Sequence, residues 1–424
     1  MAVIVPKALL QLRSYGLELV LLASYMAADL VLTDFFGPAV GKDLLGGLLL
    51  LAVLSSGAVR RDLVGVLVER YRRRRIQRRL DLALEERAPF VERVEPSAAG
   101  EVVTVRFGFG QSCEELERHT GAVAAALGAR EVLLRACPET SSRCRLVVVR
   151  NETLGGLVDP APLLSNYKPD VFSSIPLGID EAGEPVLIGL VGHHLLIGGE
   201  TGGGKSGSLN AVLAGVSRDG RCRIWGFDGK RVELSAWRPV LERFCGPEMD
   251  EAISMLEELR AEMERRYEAL LVIGRTKVEQ EDDAGVLVVV IDELAFYVAN
   301  PERKKAQRFA ELLSDVVARG RAAGVVVVAA TQKPSAEMVP TALRDNFGYR
   351  LAHRCATRDA SDTILGAGWA SLGYSAAAID PELRGVGYLL SSGGVPVRMR
   401  TMHLEAATIA LVVTEAAGRR RSLR

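Results

Sequence analysis

The octapeptide Gly199-Glu200-Thr201-Gly202-Gly203-Gly204-Lys205-Ser206 carries residue types that can cradle a polyphosphate. Glycines at this spacing let several backbone N–H groups converge on β- and γ-phosphates, and a helix opening at the end of the loop adds its N-terminal field. Lys205 is then placed to bridge those phosphates, and the Ser206 hydroxyl to ligate Mg²⁺. The ligand such a loop fits is ATP with Mg²⁺. A merely flexible glycine-rich turn would need neither a strand before it nor carboxylates after it, and this chain has both.

The carboxylates are Asp292-Glu293, which follow the wholly apolar run Val286–Ile291. Two acids at the C-terminal edge of a parallel strand stand where open α/β sheets bind ligands. Asp292 is placed to hold the Mg²⁺ shell and Glu293 to orient and deprotonate an attacking water. A further apolar run, Gly324–Ala330, ends in Thr331-Gln332-Lys333-Pro334. Gln332 is the candidate to touch the γ-phosphate or its water, with a plain turn residue as the competing reading. Lys333 could face a substrate.

Positioning these groups requires a layered frame. From about residue 187, apolar strands (Leu195–Gly198, Arg223–Phe227, Val286–Ile291, Val325–Ala330) alternate with helical patterns. This predicts an α/β fold, a mostly parallel sheet with helices on both faces. A helix over Asp250–Leu271 follows from apolar spacing at Ile253, Leu256, Leu259, Met263, Tyr267 and Leu270. Another is expected to start with Asn300 as cap and Pro301 in its first turn and to stop at Gly320. Upstream, Val102–Phe107, a helix over Cys113–Leu127, and strands near 131–136 and 145–149 predict a small α+β unit. Residues 81–98 read as a charged connector. The implied organisation is 1–80, 81–175, 176–403 and a short basic tail, 404–424.

The 424 residues carry balanced formal charge, so no global field attracts nucleic acid and any basic surface is local. The six cysteines form no C-x-x-C pair, which argues for reduced thiols over disulfides or zinc. Two apolar runs, about 16–32 and 44–59, are each slightly short of the ~20 residues of a spanning helix. Together they predict a transmembrane hairpin. Arg60-Arg61 and the cluster Arg70–Arg79 follow, and Lys7 and Arg13 precede. Positive charge stays cytoplasmic, so a two-pass cell-membrane protein is expected, with N-terminus and main domain cytoplasmic. A buried soluble hairpin is the alternative. Anionic lipid headgroups are the favoured partner of the arginine cluster, with DNA backbone second.

The segments "GETGGGKS", "VVVIDELAFY", "RAAGVVVVAATQKPS" and "YRLAHRCATRDASDTIL" together resemble the FtsK/SpoIIIE family of hexameric double-stranded DNA translocases. "GFDGKRVEL" sits where those motors carry a strand-end Asp-x-Lys followed by Glu-Leu, and the likeness spans about 100–403. The resemblance implies a RecA-like P-loop ATPase core preceded by a small α+β subdomain, a homo-oligomeric, hexameric ring around DNA, and ATP sites shared between neighbours. It implies an arginine reaching the adjacent site, from among Arg319, Arg321, Arg344, Arg350 and Arg354, with Arg350 or Arg354 preferred. Lys333, Arg344 and the loop between Pro334 and Asn346 become candidates to track DNA through phosphate contacts.

Two membrane segments stand where the division proteins have four, and a C-terminal module for reading orientation sequences would not fit after 403. The pattern is more similar to FtsK-like transfer proteins of actinobacterial conjugative plasmids and integrative elements. It implies movement of element DNA between cells at the bacterial inner membrane, with other transfer proteins as possible partners. Alternatives are chromosome segregation at division, a type VII secretion-like protein-export ATPase, and an ATP-regulated scaffold that does not hydrolyse.

Overall fold

The computed structural model describes residues 57–137, 140–280, 282, 285–332, 335 and 341–422. The expected transmembrane hairpin lies almost wholly outside these residues, as do Lys333, Pro334 and residues 336–340 of the loop that follows. Among the described residues no helix is long and apolar enough to cross a membrane. Contacts divide the chain into two units.

In the first unit the helix Gly57–Leu84 carries the arginine cluster. Its Gln77 amide reaches the Pro89 carbonyl and accepts from the Val91 N–H. The segment expected as a connector is instead strand β1 (Phe90–Ser97), followed by β2 (Gly100–Arg106). The strand buries Val91 and Val94, three residues apart, with Glu92 half-buried and Arg93 exposed between them. With β3 (Glu131–Ala136) and β4 (Arg143–Val149), the order is β1-β2-β4-β3. The helix expected over 113–127 is two, Cys113–Glu117 and Thr120–Leu127. The second starts where the Thr120 hydroxyl turns back to the Glu117 carbonyl.

The second unit is built on a ten-stranded sheet. Its strands are β5 (Ile175–Asp180), β6 (Pro185–Ile188), β7 (Leu195–Gly198), β8 (Cys222–Phe227), β9 (Arg243–Cys245), β10 (Val286–Ile291), β11 (Val325–Thr331), β12 (Tyr349–His353), β13 (Val386–Ser391) and β14 (Val397–Thr401). The order is β6-β5-β14-β13-β12-β7-β11-β10-β8-β9. The run from β12 to β9 is parallel, and the other four strands extend it antiparallel.

Every residue of β10 is buried. Val286, Val288 and Val290 face one core with the helix Lys205–Ser217 and Trp237. Leu287, Val289 and Ile291 face the other, with the helices Met249–Val272 and Arg303–Arg319. Each such side chain contributes about 1.5–3 kcal/mol by leaving water, so the unbroken apolar run is what a sheet covered on both faces demands. The last of these helices starts at Arg303, not at Asn300. The Asn300 side chain accepts the Glu302 N–H, and the Pro301 carbonyl accepts that of Arg303, closing a turn before the helix begins.

Parallel pairing gathers one set of strand ends along a single edge. Gly198 lies opposite Thr331 and Ala352, and Ile291 opposite Phe227 and Ala329. All the chemistry-bearing residues that end these strands therefore meet there.

Candidate nucleotide-binding site

The loop from Gly199 to Gly204 links β7 to the helix Lys205–Ser217. Gly199, Gly202 and Gly204 have φ of +151°, +78° and +125°, a region open chiefly to glycine. At Gly204 a Cβ would also lie 2.6 Å from the Gly385 Cα. The loop is held from outside: Glu200 N–H donates to the Arg354 carbonyl and Gly385 N–H to the Gly203 carbonyl. Lys205 is buried, and its ammonium donates to the Gly199 and Glu200 carbonyls at 2.8 Å each. Burial pushes that ammonium below its ordinary pKa, opposed by the Glu293 and Asp292 carboxylates. A buried cation over a curled glycine loop with two acids nearby fits a triphosphate.

Asp292 and Glu293 leave the end of β10, and both are buried. Burial raises the Asp292 carboxyl to about 7, reinforced by Glu233, Asp228 and Glu293 and opposed by Lys230. An ionised acid in that setting needs a cation. Asp292 and the Ser206 hydroxyl are hard oxygen donors of the kind Mg²⁺ takes alongside phosphate and water. No group of three or more His, Cys, Asp or Glu among the described residues could hold a metal by itself.

Glu293 is fixed. Its carboxylate accepts from the Thr331 hydroxyl at 3.0 Å, the Gln332 N–H at 3.1 and 3.2 Å, and the Ala295 N–H at 3.3 Å. The Gln332 side-chain oxygen accepts from the Thr201 hydroxyl at 3.0 Å, so Gln332 joins the β10 acid to the phosphate loop.

The arginines separate. Arg354, just past β12, pairs with Glu200 of its own loop. Arg350, near the opposite end of β12, donates to the Phe347 and Leu365 carbonyls and approaches Asp345 at 3.4 Å. It lines an open cavity of about 460 Å³ with Gly366 and Trp369. Four residues along a strand put the two about 13 Å apart. Arg319 is paired with Asp315 and Glu264. Arg344 donates to the Thr363 carbonyl at 3.0 Å, away from the phosphate loop's hydrogen bonds.

Asp228, Lys230 and Glu233 entered the sequence reading only through a motif, with no role. Asp228 is buried and its carboxylate accepts the Lys230 and Leu234 N–H groups, which shapes the turn beside Asp292.

The FtsK/SpoIIIE family model matches residues 159–411. The chain is 29% identical over 269 residues to DNA translocase FtsK of Pseudomonas aeruginosa, covering 54% of this chain and 31% of the relative. It is 28% identical over 273 residues to the same-named protein of Staphylococcus epidermidis, covering 58% and 33%. The chain thus spans about a third of the length of the curated relatives it matches. Among solved structures, the pCW3 conjugation coupling protein TcpA, in its monomer form with ATPγS, matches over 81% of this chain and 99% of that one, with a TM-score of 0.56 and 18% identity. ATPases 2 and 3 of EssC from Geobacillus thermodenitrificans match over 63% and 51%, with a TM-score of 0.50 and 15% identity. At these identities the likeness is one of fold.

Proposed function

Because the chain belongs to the FtsK/SpoIIIE family, we propose that it is an ATPase that couples hydrolysis of Mg²⁺-bound ATP to movement along double-stranded DNA. The observation that carries this is Glu293, buried at the sheet edge and held by Thr331 and Gln332 beside the glycine loop. Lys205 binds the phosphates, while Ser206 and Asp292 would hold the metal. When bound, Mg²⁺ neutralises charge on the phosphate oxygens. Glu293, its hydrogen bonds already made, orients water toward the γ-phosphate and takes its proton. Gln332 registers loss of that phosphate through Thr201 and passes it to the segment after β11, where Lys333 stands as a DNA contact.

Arg354 serves its own loop through Glu200, so of the two preferred arginines Arg350 is the one left to reach a neighbouring subunit in a hexameric ring. The finer reading is a two-pass inner-membrane motor moving plasmid or element DNA between cells. It draws support from the arginine-rich helix, the apolar N-terminal sequence, and a fold shared with a conjugation coupling protein over nearly all of that protein's chain. Chromosome segregation rests on the same chemistry. Protein export is the second reading, and it rests on the same ATP chemistry.

The test is ATP turnover by the full chain in mild detergent, with linear duplex DNA or with an unrelated peptide. The proposal expects turnover that rises several-fold with duplex DNA and that Lys205→Ala abolishes. Turnover indifferent to DNA would refute the coupling to DNA.

A further inference from the structure

Beneath the phosphate cradle lies a buried polar chain that the catalytic assignments leave unused. His353, Ser208 and Thr401 come from β12, the helix Lys205–Ser217 and β14, and all three are buried. His353 Nδ1 lies 3.0 Å from the Val386 carbonyl, which can only accept, so Nδ1 carries the proton. Its Nε2 then accepts from the Ser208 hydroxyl at 2.7 Å, and Ser208 Oγ in turn accepts from the Thr401 hydroxyl at 2.9 Å. Every group in the chain is satisfied in one direction.

The imidazole also forms the floor of the loop. A Cβ on Gly199 would come within 2.8 Å of the His353 Cβ, and one on Gly204 within 3.2 Å of its Cε1. Ser208 stands one turn beyond Lys205. The Gly385 N–H donates to the Gly203 carbonyl while the Gly385 carbonyl accepts from Thr401 N–H, closing a second path between the same elements.

We infer that His353, Ser208 and Thr401 are positioning residues for nucleotide binding, a buried hydrogen-bond relay that holds the floor of the phosphate cradle against β13 and β14. The inference rests on the nucleotide site proposed above. Burial and the Lys205 charge hold His353 neutral, its pKa lowered to about 4, so the relay keeps one proton arrangement at neutral pH. Because the relay touches the cradle and no reacting atom, its loss weakens ATP and ADP alike and spares the chemical step.

The experiment measures ATP and ADP affinity with fluorescent analogues, together with turnover at saturating ATP, on full-chain variants. His353→Ala is expected to weaken both nucleotides about tenfold or more, the scale of a broken buried hydrogen-bond chain, with saturated turnover within about threefold of wild type. His353→Gln sets an amide at the Nε2 position and should recover most of the affinity. His353→Asn reaches only the Nδ1 position and should not. Ser208→Ala added to His353→Ala should cost nothing more, as for residues in one network. Wild-type affinity in His353→Ala, or a change confined to thermal stability, overturns the inference.

Should His353→Ala fail to fold, Ser208→Ala and Thr401→Val decide: weaker binding of both nucleotides supports the relay, and unchanged binding of both overturns it. If wild type itself binds no nucleotide, the proposed function fails first and the relay falls with it. Normal wild-type binding with indifferent relay variants overturns the relay alone.

Discussion

Asp292 should destabilise the nucleotide-free fold, and removing its charge should reveal by how much. Burial and three neighbouring acids raise its carboxyl from 3.8 to about 7. At about 1.4 kcal/mol per tenfold change in protonation, the ionised form costs up to about 4 kcal/mol in the folded state. Sharing of charge among the neighbours makes that a ceiling. The sign follows from linkage: a raised folded pKa gives stability that is complete below 3.8 and is lost as pH rises through about 7. Between pH 5.5 and 7.5 the contribution should therefore fall by roughly 2 kcal/mol. Two buried histidines act oppositely, because His194 and His353 are lowered to about 4 and their stability is lost as pH falls below 6.5. The useful quantity is thus wild type minus Asp292→Asn, since the histidine contribution cancels. Urea unfolding of the second unit, without nucleotide, should show Asp292→Asn more stable at pH 7.5 by about 1–4 kcal/mol. The gap should narrow by up to about 2 kcal/mol toward pH 5.5 and close only below about pH 4, and ATP with Mg²⁺ should reverse it by stabilising wild type alone. Equal stability at pH 7.5, or a gap independent of pH, would refute the account of Asp292.

Glu293→Gln should keep ATP affinity within a few-fold and lower turnover by about 10²–10⁴, the usual scale for loss of a general base; normal single-turnover hydrolysis would contradict the role. Gly204→Ala forces a Cβ to 2.6 Å from the Gly385 backbone at φ +125°, so at a strain of about 1–3 kcal/mol it should depress unfolding temperature and abolish nucleotide binding in equilibrium titration. Arg354→Ala should weaken ATP binding in each subunit by itself. Arg350→Ala should leave binding intact, lower turnover, and be complemented when mixed with Lys205→Ala subunits. DNA stimulation of turnover should weaken steeply from 50 to 200 mM salt, as phosphate contacts require.

The phosphate loop, Asp292-Glu293 and the strands that carry them were legible because their signals are local: glycines at fixed spacing, and apolar runs ending in acids. The connector hid a strand because Phe90–Ser97 buries only Val91 and Val94, which stand three residues apart among charged neighbours and give no period of two. Asn300 misled because the same side chain that caps a helix can also close a turn. The relay under the cradle was invisible for a different reason. Ser208 meets His353 across 145 residues and Thr401 across 193, and only the strand order β14-β13-β12-β7 brings them together.

The most direct test of a DNA-moving ATPase is displacement of a triplex-forming strand from duplex DNA by the full chain. The account predicts displacement that needs ATP and Mg²⁺, is lost in Lys205→Ala and Glu293→Gln, and proceeds on duplexes of unrelated sequence. Vigorous ATP turnover by wild type with the third strand left in place would contradict it.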